Sequence, residues 1–181
     1  MMTLGAKTWL PMSALVTGAL LLAMPAGAGE KTIGKPIERN GMAIAAVYLQ
    51  PVRMQPAMPL AKRPDIHLEA DISAIKGNKH GFSEGAWIPY LTISYKIEKL
   101  GGGFKALGSF MPMVANDGTH YGANVKLAGP GKYRVTYRIH PPIMAGLFRH
   151  TDKETGTAKW WAPFTTSWTF AYVGVGKKGT Y

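Results

Sequence analysis

Three observations in the sequence predict an all-β domain, an immunoglobulin-like antiparallel β-sandwich. Seven short segments alternate apolar and polar residues and are rich in β-branched and aromatic types, the period of half-buried strands. Gly, Pro and Asn signals separate these segments. No stretch carries the period of an amphipathic helix. Short strands with turn signals between them pack as two antiparallel sheets, with a closed barrel as the alternative arrangement.

The chain opens with "MMTLGAKTWLPMSALVTGALLLAMPAGAGE", in which Lys7 precedes an apolar run from Trp9 to Met24. Ala26-Gly27-Ala28 then supplies a small-x-small cleavage pattern, so residues 1–28 read as a secretory signal peptide. The run is short for about 30 Å of hydrocarbon, and Pro11 interrupts it. A retained anchor is the alternative. Residues 29–181 suit one domain with a single core.

The first strand is expected within Gly41–Val52. In Asp65–Ile75, Ile66, Leu68, Ala70 and Ile72 face one way; in Pro89–Leu100, Leu91, Ile93, Tyr95 and Ile97 do. Phe104–Val114 and Ala123–Ala128 are the next two. After the breaker Gly129-Pro130-Gly131, Lys132–His140 alternates Tyr133, Val135, Tyr137 and Ile139 with polar residues. Thr166–Val175 is the last strand. Arg53–Pro64 and His140–Phe164 are long irregular connections, where function tends to sit on a rigid scaffold.

Composition excludes several function classes. The chain has no cysteine, which rules out disulfides, thiolate zinc sites, a cysteine nucleophile and the His₂Cys blue-copper arrangement. Net charge is +11, yet the basic residues are scattered without a run of five or six, so no nucleic-acid partner is expected. "GFSEG" (Gly81–Gly85) matches a hydrolase nucleophile elbow, but the chain from Ala86 onward reads as a loop entering a strand and not as the required helix. "GGGF" (Gly101–Phe104) reads as a hairpin turn. No nucleophile–base set and no small organic substrate are indicated.

His67 and Glu69 are two residues apart in a strand and leave the sheet on the face opposite the apolar stripe. Asp65 and Asp71 share that face, so an ordinary solvated polar face is the plain reading. Met111 and Met113 share a face in an extended Phe110–Val114, where methionine is usually core filler. His120 comes after Asn116-Asp117-Gly118 and reads as a turn residue; His150 lies in the long loop. As a set these residues offer more. Thioether favours copper or another late metal, imidazole serves copper, iron and zinc, and carboxylate favours harder ions.

"DIHLEADI" (Asp65–Ile72), "FMPMVANDGTHYGANV" (Phe110–Val125) and "GLFRHTDKETG" (Gly146–Gly156), with "PFTTSW" (Pro163–Trp168) after them, resemble one family. It is that of the periplasmic metal-binding proteins that accompany bacterial iron permeases, the FetP-type iron-uptake proteins. The resemblance runs from about Gly41 to the C-terminus. It implies a periplasmic homodimer that binds copper and handles iron beside an inner-membrane iron permease. Residue by residue it implies His67, Glu69, Met113 and His120 as metal ligands, with His150 reaching the site from the partner subunit. It selects Met113 over Met111, which alternation alone leaves equal. Thr119 stands where the family pattern has proline, and Asp117 is implied at an outer cation position. Ferroxidase or ferric-reductase activity at a copper site is left open. Copper storage without an iron role fits the same ligands, and a metal-free adhesion or structural module is the reading from another class.

Overall fold

Ten strands form two antiparallel sheets in the computed structural model, which describes residues 29–56 and 63–174. The first sheet contains β1 (Lys31–Thr32), β2 (Ile37–Arg39), β3 (Met42–Leu49), β4 (Ile66–Ala74), β7 (Met111–Ala115) and β8 (Gly118–Val125). Its order is β1-β3-β4-β8-β7, with β2 pairing to β3 beside β1. The second sheet is ordered β10-β9-β5-β6, from β5 (Thr92–Lys99), β6 (Lys105–Ser109), β9 (Gly131–His140) and β10 (Phe164–Tyr172). This is an immunoglobulin-like sandwich. The predicted leader, residues 1–28, lies outside the described residues. Among those described, no helix is long and apolar enough to cross a membrane.

The core follows from the strand periods. Ile66, Leu68, Ala70 and Ile72 of β4 are buried, as are Tyr133, Val135, Tyr137 and Ile139 of β9. Aromatic rings pack among the aliphatic side chains between the sheets. Phe110 meets Tyr137 edge-on at 5.0 Å, and Trp168 meets Tyr137 at 5.2 Å, the tilted arrangements that ring quadrupoles favour. The phenol of Tyr137 crosses the interior and donates to the Glu69 carbonyl at 2.8 Å. The second sheet therefore holds β4 from beneath.

The structure departs from the strand pattern of the sequence in three places. β1 and β2, only two and three residues long, are too short to show a period. Phe104–Val114 is not one strand. It crosses between sheets near the buried Phe110, so that β6 pairs with β5 and β7 pairs with β8. β7 lies at the sheet edge, where Pro112 is tolerated. Finally, β8 begins at Gly118, so His120 is a strand residue; the turn is confined to Asn116 and Asp117. Gly81–Gly85 lies in bends and turns before the isolated bridge of Trp87 with Ser73, and no helix succeeds it.

Candidate metal centre

β4, β8 and β7 lie side by side, and their register assembles the site. His67 pairs with Asn124 and Glu69 with Gly122 across β4 and β8. Gly122 pairs with Met111, and His120 with Met113, across β8 and β7. Paired residues share a face. The outer face of these three strands thus gathers His67, Glu69, His120 and Met113 around Gly122, which contributes no side chain.

That face is not the solvated polar surface that alternation suggests. His67 is 1% exposed, Glu69 4% and His120 8%. They line a cleft of about 790 Å³ with Met113, Met54, Val52, Glu30 and Asp117, so the N-terminal segment, the chain after β3 and the β7–β8 hairpin wall it in. His67 Nε2 lies 3.5 Å from Glu69 Oε1, and His120 Nε2 lies 3.4 Å from the same oxygen. The two imidazoles are set edge to face, 5.9 Å between ring centres. One ligand atom from each of the three residues falls within 4.8 Å of the others.

Burial sets the protonation of this group. It lowers the His67 value to about 4, with the His120 ring adding to the effect and the Asn124 hydrogen bond opposing it. Burial also lowers His120, while Asp117 and a Gly118 backbone hydrogen bond pull the other way. Glu69 is raised to about 8, first by burial and then by repulsion from Asp71, Glu30 and Asp117. Glu30, which carries no signal in the sequence, is raised to about 7 by burial, by a hydrogen bond to Asp117 and by the charges of Asp117 and Asp71. At neutral pH the two contacts to Glu69 therefore join neutral imidazoles to a protonated carboxyl, and neither is an ion pair.

The residues fit a metal ion on two observations. His67 Nε2 is buried without a hydrogen-bond partner, a costly state for a polar atom. A Cβ placed on Gly122 would stand 2.5 Å from that nitrogen and 3.1 Å from Met113 Sδ. The missing side chain leaves a notch faced by a ring nitrogen and a thioether. The donors are neutral imidazole, thioether and a carboxyl, a set that suits copper and retains one hard ligand.

His150 stands apart within one chain. It is exposed and lines a different cavity, formed by the long loop with His80, Phe82 and Trp160. Its Nδ1 lies 2.7 Å from Thr155 Oγ1, whose own proton goes to Asp152 Oδ2 at 2.7 Å. Met111 is 48% exposed on the outer rim.

Two buried imidazoles and a carboxyl on one face of an antiparallel sandwich make a group that could hold a metal ion. The chain belongs to the Fe2+ transport protein family, whose model matches residues 27–174. It is 53% identical over 172 residues to a UPF0423 protein of Brucella abortus, covering 92% of this chain and 94% of that one. It is 37% identical over 150 residues to the 34 kDa membrane antigen of Treponema pallidum, covering 79% of this chain and 74% of the other. Among solved structures it matches FetP of uropathogenic Escherichia coli strain F11, recombinantly expressed in the periplasm, with a TM-score of 0.80 and 55% identity over 83% of this chain and all (100%) of that chain. The copper-reconstituted P19 protein of Campylobacter jejuni matches with a TM-score of 0.79 and 49% identity, over 82% of this chain and 99% of that chain.

Proposed function

We propose that this chain is a periplasmic copper- and iron-binding protein of a bacterial iron-uptake system. In this reading His67, Glu69, Met113 and His120 hold copper, and His150 of a second copy completes the site. The protein works as a homodimer beside an inner-membrane iron permease. The observation that carries the reading is the notch over Gly122, with the unpartnered Nε2 of His67 and the sulfur of Met113 on its walls. Family membership and the copper-bound relatives support it. A metal-free structural module gives no reason for the unpartnered His67 Nε2 and the Met113 sulfur to face the same notch.

The chain's own residues have separable tasks. His67, His120 and Met113 present neutral donors, so no charge has to be neutralised before they bind. Glu69 keeps a proton while the site is metal-free and gives it up as a carboxylate when a cation arrives. Bound copper supplies one-electron redox chemistry. The long loop orients His150: because the Thr155 hydroxyl donates to Asp152, it can only accept from His150, so in the neutral ring Nδ1 carries the proton and Nε2 the lone pair.

Calorimetric titration of the metal-free protein with copper tests the site. His67→Ala, His120→Ala and Met113→Ala are each expected to weaken binding by at least about 100-fold, beyond the 10–100-fold typical of outer partners. Unchanged affinity in all three would dismiss the site. Sedimentation of metal-free and copper-loaded protein at neutral pH tests the assembly. Copper should favour the dimer in the wild type and lose that effect in His150→Ala, since a ligand bound only by the assembled state stabilises it. Equal dissociation with and without copper would remove His150 from the site. Growth of a deletion strain under iron limitation and under copper excess separates the iron-uptake reading from copper storage.

A further inference from the structure

Asn124 is not among the ligands implied by resemblance, yet it makes three polar contacts beside the centre. Its Oδ1 accepts the Val52 N–H at 3.2 Å, and its Nδ2 donates to the Val52 carbonyl at 2.8 Å. Backbone groups have fixed roles, since N–H only donates and C=O only accepts. The two contacts therefore decide which end of the amide is oxygen, a choice that is otherwise open for asparagine.

The same Oδ1 lies 2.9 Å from His67 Nδ1. An amide oxygen has no proton to give, so Nδ1 must carry one. A neutral imidazole has a single N–H, which leaves Nε2 with its lone pair. That nitrogen is the buried, unpartnered atom facing the Gly122 notch. From this geometry we infer that Asn124 is a positioning residue: clamped by Val52, it commits His67 to the Nδ1–H tautomer and keeps Nε2 free for a soft metal ion such as copper.

The inference rests on the proposed metal site for its purpose but not for its test. The ring needs neither a tautomer change nor a rotation when a metal arrives, which removes a reorganisation cost from binding. The clamp also ties the site to the chain beyond β3, because Asn124 and Val52 are 72 residues apart.

Long-range proton–nitrogen NMR on the metal-free protein reads the tautomer directly. The wild type should show Nδ1 protonated and Nε2 bare at His67. Asn124→Leu removes the acceptor at similar size and should shift His67 toward the Nε2–H form. In competition with a chromophoric Cu(I) chelator, Asn124→Leu should bind about 10–100-fold more weakly, as outer-partner losses do. An Nε2–H form in the wild type overturns the inference. So does a retained Nδ1–H form in Asn124→Leu, because any lost affinity would then come from a loosened loop. Should the wild type bind no copper, the metal reading fails while the tautomer result still decides the role of Asn124.

Discussion

Gly122→Ala should abolish tight copper binding although it replaces no ligand. Gly122 is not among the residues with positive φ, so its backbone conformation is open to any residue. What it supplies is room. The added methyl would stand 2.5 Å from His67 Nε2, 2.9 Å from His67 Cε1 and 3.1 Å from Met113 Sδ, occupying the space between the donors. The imidazole cannot yield freely, because Asn124 holds its other nitrogen. Overpacking of this kind typically costs about 1–3 kcal/mol of stability. The loss of copper affinity should exceed the roughly 100-fold upper end seen for outer partners, because the space itself is filled. Gly103→Ala is the control, since a Cβ there meets nothing within 4 Å. Both variants can be titrated with copper after thermal melting has confirmed that they fold. Wild-type affinity in Gly122→Ala would place the metal elsewhere.

The contrast between Gly122 and its neighbours shows what can be read from a chain alone. The strands of the core announce themselves through alternation, and β4 and β9 lie where their apolar stripes predict. Alternation also puts His67 and Glu69 together on one face. It does not reveal that the N-terminal segment, the chain after β3 and the β7–β8 hairpin bury that face, because cover depends on partners distant in sequence. The Asn-Asp-Gly signal locates the β7–β8 turn but hides that His120 is already in register with Met113. The crossing at Phe110 is illegible for a related reason: an alternating run keeps its period whichever sheet it joins. Gly122 acts through an absent side chain, and Asn124 acts through a backbone group 72 residues away, so neither leaves a local signature. Resemblance selects Met113, and the register places it beside His120 across the notch. His150 has no such contact within one chain.

Copper binding should release about one proton per metal at pH 7, and that proton should come from Glu69. Reasoning from ordinary histidines would place the sensitivity near pH 6.5. Burial instead moves His67 down to about 4 and lowers His120, so both are neutral at pH 7. Glu69, raised to about 8, still carries its proton there. Affinity should therefore climb with pH toward 8 and flatten beyond it. The same shifts fix the stability of the metal-free protein. Folding raises the Glu69 value, so its contribution is complete below the unfolded value of about 4.3 and is lost as pH rises through 8. Asp71, raised to about 6, and Glu30, raised to about 7, act in the same sense. Folding lowers His67, so its contribution is complete above about 6.5 and is lost as pH falls through 4. The metal-free protein should thus be most stable in mildly acidic solution and weaken toward pH 8.5. Glu69→Gln should flatten that decline, while binding copper more weakly and releasing almost no proton. Melting curves from pH 5 to 8.5, with calorimetry in buffers of different ionisation heat, measure both effects. If Glu69→Gln released as many protons as the wild type, the acid that titrates on binding would be another group, and Glu69 would lose its place as the proton-bearing ligand.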